Sequence, residues 1–296
     1  MPADERNPDG SLVGGRTPAV AMVLGGIFSV QLGSALVTTV FDELGPGGAV
    51  LLRTLFAGAV LIAIWRPPRH ALDPSTVRLI GLYGIVLALM NLSFYEALER
   101  LPLGIAVTLE FTGPLAVALI GSRSRADVLW ALIAAGGIVL FAPDIGDGLD
   151  ATGVAFALFA GSMWACYILL AARVGRGPAG VGGLSVAMVV ATLILIPLGI
   201  HEGGSDLLTP ELLATGFAVA MLSSAVPYVL ELEALRRLPE NVVGVLLSLE
   251  PAAAALIGTV ALGQALAGRE LLAIAMVVIA SAGALRESPQ QPAPEA

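Results

Sequence analysis

The sequence contains no lysine; all fifteen of its basic residues are arginine. That excludes chemistry built on a lysine amine, such as a Schiff base or the lysine of a phosphate-binding P-loop. Cysteine is nearly absent too. Cys166 stands alone, so the chain closes no disulfide on itself and builds no thiolate metal site. The two histidines, His70 and His201, fall in polar stretches read as loops, outside any HExxH-type or triad-like setting. Charged residues make up 13% of the chain, against roughly a quarter in a soluble domain. The net charge is −8 over 296 residues, whereas a nucleic-acid binder needs a basic surface. No nucleic acid, cofactor or metal is therefore expected.

What fills the chain instead is apolar: 57% hydrophobic residues, and 35 glycines besides. At roughly 20 residues per membrane span, that supplies about ten spans. The expected fold class is an all-α integral membrane protein with ten transmembrane helices. Apolar segments run at 18–40, 47–65, 77–98, 103–122, 127–143, 151–173, 182–200, 211–235, 240–262 and 269–285. A leader, 1–17, is too polar to be the h-region of a signal peptide. The tail, 286–296, is proline-rich without an apolar run and is expected to be disordered.

Orientation follows from arginine, because cytoplasmic loops retain positive charge during insertion. With the N-terminus inside, the inner set is Arg6, Arg16, Arg66, Arg69, Arg78, Arg123, Arg125, Arg173, Arg176, Arg236, Arg237 and Arg286. Only Arg100 and Arg269 fall outside, and Arg53 lies within a span. The bias places both termini in the cytoplasm and the acidic loops, including Glu202 and Asp206, outside.

The chain also repeats itself. Ala-Leu-Glu-Arg-Leu-Pro at 97–102 returns as Ala-Leu-Arg-Arg-Leu-Pro at 234–239, an offset that also sets Pro114 on Pro251 and Glu96 on Glu233. Each copy, 18–143 and 151–285, holds five spans. Because five is odd, the second copy enters the membrane inverted, an architecture typical of secondary transporters.

Ionisable groups inside spans are costly and mark function by default. Glu110 lies roughly 10 Å into span four and Glu250 roughly 15 Å into span nine, at 1.5 Å per residue. Carboxyl groups at such depths are either proton carriers or permanently protonated groups bonded to a backbone carbonyl for packing. Arg53 has no local partner in sequence; it snorkels, pairs with a buried carboxylate, or receives a substrate carboxylate. Glu96, Glu231 and Glu233, near span ends, read as interfacial and water-reaching. Gln31, Asn91, Tyr95, Trp164 and Tyr228 either line a cavity or bond helix to helix. Pro114, Pro227 and Pro251 are candidate helix-kinking residues. Proline cannot donate to the carbonyl four residues earlier, so Pro114 frees that of Glu110 and Pro251 that of Leu247. These are equivalent positions in the two copies, where the freed carbonyls either serve as a pair of cation ligands or only mark bends for packing.

Several of these residues sit in a longer pattern. Leu-Pro-Leu-Gly-Ile-Ala-Val-Thr-Leu-Glu-Phe-Thr-Gly-Pro-Leu-Ala-Val-Ala-Leu at 101–119 resembles the signature of the threonine/homoserine exporter family (RhtA type), in the EamA branch of the drug/metabolite transporter superfamily. Ser-Val-Gln-Leu-Gly-Ser-Ala-Leu at 29–36, Leu-Arg at 52–53, Ala-Val-Pro-Tyr at 225–228, Leu-Glu at 232–233 and Ser-Leu-Glu-Pro at 248–251 continue the match, which covers residues 18–285. The resemblance implies two inverted five-helix EamA repeats in a bacterial cytoplasmic membrane. It also implies export of small amino acids such as homoserine and threonine, coupled to protons. Gln31, Arg53, Glu110, Pro114, Tyr228, Glu233, Glu250 and Pro251 carry over as motif positions. Gln264 departs from the pattern, since EamA repeats usually carry glutamate there, which weakens any role for it as a charged coupling site.

The expected partners are therefore a small-molecule substrate, the lipid bilayer and protons, with a homodimer as the candidate assembly. Two alternatives stay open: a carrier of another metabolite, amine or drug, and a non-transport membrane protein. An enzyme is not expected, for no catalytic constellation is visible.

Overall fold

The computed structural model describes residues 16–37, 40–68, 71–101, 106, 109–120, 125–141, 150–247, 249–250, 253 and 268–287. Among them all regular structure is helical, in ten helices of eight residues or more. These are α1 (Arg16–Val37), α2 (Phe41–Ile64), α3 (Pro74–Arg100), α4 (Thr112–Ile120), α5 (Arg125–Phe141), α6 (Ala151–Arg176), α7 (Gly180–Gly203), α8 (Pro210–Leu235), α9 (Glu240–Leu247) and α10 (Gly268–Glu287). Five of them, α2, α3, α6, α7 and α8, are long and apolar enough to cross a bilayer. Shorter apolar stretches lie in α1, α5 and α10, at Pro18–Ser34, Val128–Gly137 and Leu271–Ala280. Leu132, Val139, Leu193, Ile200, Leu271 and Ile279 are exposed on the outer faces of the bundle. Water would penalise such a surface, and lipid chains do not.

Helix α3 starts before the apolar stretch that marks it, because a polar residue caps its end. Asp73 starts α3: its carboxylate accepts the Ser75 backbone N–H at 3.1 Å and also the Ser75 hydroxyl. The Ser75 hydroxyl, followed by that of Thr76, holds the Asp73 carboxyl down to about 2. Asp150 starts α6 in the same way, accepting the Gly153 N–H at 2.7 Å. At the far end of α7, His201 and Glu202 belong to the last helical turn, which corrects the loop reading of both. Helix α10 continues to Glu287, beyond the expected limit of 285. His70, Pro251, Gln264, the leader before Arg16 and the tail after Glu287 lie outside the described residues.

Helix α2 packs on α7, α3 on α6, α1 on α8, α4 on α9, and α5 on α10. Exchanging each helix with the one five places along reproduces this set of pairs. Small residues permit the closest crossings. Where α4 meets α6, Gly113 faces Gly161, and a Cβ at Gly161 would stand 2.6 Å from the Glu110 carbonyl oxygen.

Helix α2 is broken near its start. Gly45 takes φ 64°, a left-handed conformation that favours glycine, and Pro46 opens the resumed helix, where its missing N–H costs nothing. Glu202 reaches across from α7 and accepts the Gly47 N–H at 2.6 Å. The cap for this helix start thus comes from another helix. Replacing Glu202 with alanine is expected to destabilise the protein by about 1 kcal/mol, the usual cost of a lost N-terminal cap. Thermal unfolding in detergent would measure this, and a melting temperature equal to that of the wild type would refute the capping role.

Candidate functional site

The site begins with a cation inside the bundle. Arg53, midway along α2, is 8% exposed. Its Nε donates to the Ser224 Oγ at 2.5 Å and its Nη1 to the Tyr95 hydroxyl at 3.1 Å. Nη2 donates to the Ser223 carbonyl at 2.6 Å and to the Tyr228 hydroxyl at 3.2 Å. The guanidinium carbon also lies 5.8 Å and 5.9 Å from the ring centres of Tyr95 and Tyr228, within cation–π range. All of these partners are formally neutral. Among the described residues Arg53 forms no ion pair, and one of its five N–H donors is uncommitted.

The local sequence of α8 explains how the Ser223 carbonyl becomes available. Residues Met221–Ala225 wind as a π-helical turn, a form often found at functional sites. Pro227 follows and has no N–H to return to Ser223 or Leu222. Arg53 takes the Ser223 carbonyl, and the Ser29 hydroxyl of α1 takes that of Leu222 at 2.6 Å. Three helices are thereby tied at one widened turn. A fourth joins through Asn91 of α3, whose Oδ1 accepts the Tyr228 hydroxyl proton at 3.1 Å. Its amide nitrogen donates to the Leu87 carbonyl at 2.7 Å. Tyr95 packs edge-on against Phe41, with ring centres 5.0 Å apart.

Glu110 is buried on the α4 side, and its charge lies within interaction range of both Arg53 and Glu250. Trp164 of α6 is buried nearby, its ring 5.0 Å from that of Phe111. The Gln31 amide points its nitrogen at the Glu250 carbonyl oxygen, 3.5 Å away. The structure therefore gathers Arg53, Tyr95, Asn91 and Tyr228 into one bonded cluster, with Glu110 and Glu250 in electrostatic reach of Arg53. Pro114 is buried in α4, and the Glu110 carbonyl four residues before it packs against Gly161.

Of the three glutamates near span ends, Glu231 falls out differently from the sequence reading. Glu233 is not part of the cluster; it pairs with Arg236 at 2.7 Å and Arg237 at 3.5 Å near the end of α8. Glu96 is likewise half-buried and paired with Arg100 at 2.6 Å. Glu231, read as water-reaching, is instead buried, and one of its oxygens accepts the Tyr167 hydroxyl at 3.0 Å. Ser29, Ser223, Ser224 and Glu231 were not among the expected site residues. The signal for Ser223 was available, because counting four residues back from Pro227 reaches its carbonyl.

Residues 151–286 match the EamA-like transporter family. Over 279 residues the chain is 40% identical to the threonine/homoserine exporter RhtA of Salmonella typhimurium strain LT2, covering 92% of this chain and 93% of that protein. The chain belongs to this exporter family. It is also 40% identical to the Escherichia coli K12 threonine/homoserine exporter RhtA over 269 residues, 89% of this chain and 90% of that one. The uncharacterized transporter YwfM of Bacillus subtilis is more distant, at 24% over 77% of this chain and 80% of its own length. A solved crystal structure with 21% identity superposes at a TM-score of 0.77, covering 92% of this chain and 98% of its own, and shows the shared fold. As an RhtA-type member of the drug/metabolite transporter superfamily, the chain is a multi-pass membrane transporter and not an enzyme. In this exporter-family chain the buried polar cluster draws on α2, α3 and α8, which puts both the RhtA-like N-terminal half and the EamA-matched C-terminal half into one site.

Proposed function

We propose that this chain exports small neutral amino acids of the threonine and homoserine class across the cytoplasmic membrane by proton antiport. One observation carries the reading: a buried guanidinium that, among the described residues, is hydrogen-bonded only by hydroxyls and a carbonyl and forms no ion pair with a carboxylate. A cation in such a place is costly unless an anion visits it. The carboxylate of an amino acid meets that need through the uncommitted N–H, and the tyrosine hydroxyls hold the arginine in position meanwhile. The names of the relatives at 40% identity support the cargo. Glu110 and Glu250, whose charges act on each other, are the proton carriers.

The two units, 18–143 and 151–285, stand inverted in the membrane with both termini cytoplasmic, and rock against each other around Arg53. The helix pairing that survives exchange of the halves supports this arrangement. So does the bond between Asn91 and Tyr228, which are equivalent at the repeat offset of 137 residues. Equivalent positions meet directly only beside a two-fold axis.

A transport screen in proteoliposomes with an imposed pH gradient tests the reading. Threonine and homoserine are expected to move up their gradients when protons flow the other way. Transport of polyamines or nucleosides in place of either amino acid would refute it.

A further inference from the structure

The substrate reading uses Arg53 but leaves a second buried ionisable group, Glu231, unexplained. This glutamate is 8% exposed, and its Oε2 accepts the Tyr167 hydroxyl at 3.0 Å. Its Oε1 is buried with no hydrogen-bond partner among the described residues, and no arginine pairs with it there. A carboxylate so placed leaves acceptor capacity unused in a region where unused capacity is expensive.

Around it stands a wall of aromatic rings. Tyr167 lies 5.6 Å from Tyr83 and 5.4 Å from Tyr228, measured between ring centres, and all three side chains are buried. A buried carboxylate oxygen among tyrosine rings is the chemistry that recognises an ammonium group, through charge and cation–π attraction together.

Its position relative to Arg53 also fits. Glu231 lies one turn beyond Tyr228 on α8, and residues three apart share a helix face. Arg53 bonds the hydroxyl tip of that same tyrosine. Tyr228 thus links the two groups, sharing a helix face with Glu231 and offering its hydroxyl to Arg53.

We propose that Glu231, with the rings of Tyr83, Tyr167 and Tyr228, forms the ammonium half of the substrate site. The proposal rests on the reading of Arg53 as the carboxylate half, and it makes Glu231 the residue that distinguishes an amino acid from the corresponding hydroxy acid.

The test is ligand binding to the full-length protein in lipid nanodiscs, with three probes. Threonine carries both groups, 2-hydroxybutyrate lacks the ammonium, and threoninamide lacks the carboxylate. In Glu231→Gln, affinity for threonine and threoninamide is expected to fall about tenfold or more, the scale of a lost charge-assisted hydrogen bond. Affinity for 2-hydroxybutyrate is expected to change less than about twofold, which also reports that the variant is folded. Glu231→Asp should recover part of the loss. Equal losses for threonine and 2-hydroxybutyrate, or no loss for either, would overturn the proposal. If threoninamide binds the wild type as tightly as threonine does and Glu231→Gln still weakens it, the Arg53 reading fails and the ammonium site stands. A wild type that binds neither ammonium compound overturns both.

Discussion

Replacing Arg53 with glutamine should lower threonine or homoserine export in proteoliposomes by about ten- to a hundredfold, the range that follows from losing a charge-assisted hydrogen bond to a substrate carboxylate. Glutamine keeps polarity but removes the charge and most of the donors. Lysine keeps the charge, yet its compact ammonium cannot serve Ser224, Tyr95, Tyr228 and the Ser223 carbonyl at once, so Arg53→Lys should also be impaired. Both changes leave buried acceptors short of a donor, and some loss of thermal stability is expected. Binding of carboxylate-free threoninamide separates the two effects. It should be far less affected than threonine binding if Arg53 receives the carboxylate, and equally affected if Arg53 only ties α2 to α8. Wild-type export by Arg53→Gln would remove the basis for the substrate assignment.

The second large effect concerns the driving force. Glu110→Gln combined with Glu250→Gln should reduce export driven by a pH gradient about tenfold or more, because glutamine fills the same volume and neither takes up nor releases a proton. Counterflow, in which labelled threonine exchanges for unlabelled threonine with no pH gradient, should continue, since it needs the substrate site but no net proton movement. The single variants decide which carboxyl matters more. Unchanged rates and unchanged pH dependence in the double variant would show that coupling lies elsewhere. Failure of counterflow together with export would instead assign these carboxyls to substrate binding or packing.

Both experiments turn on residues that were visible from hydropathy alone, because a bilayer accepts so few charges that each one inside a span stands out. Glu110, Glu250 and Arg53 are such residues, and the structure buries Glu110 and Arg53 and brings the charges of all three within range of one another. Their partners were much less legible. Ser224 and Tyr228 lie more than 170 residues from Arg53 in sequence, and only the packing of α2 against α8 brings them together. The widened turn at Met221–Ala225 was hidden for a related reason: proline announces which donor is missing, but not which side chain will replace it.

Glu231 and Glu233 mark the boundary most clearly. They are two residues apart, near the same helix end and equally acidic, so depth in the membrane treats them alike. On a helix they point about 200° apart. Glu233 turns to Arg236 and Arg237, and Glu231 turns inward to Tyr167. By itself the sequence determined the solvent, the apolar segments and the ionisable residues within them, since a bilayer imposes length and hydropathy on every segment separately. Only the tertiary structure decided which face of each helix looks inward, and hence which charges meet, because rotation about a helix axis is fixed by the neighbours it packs against.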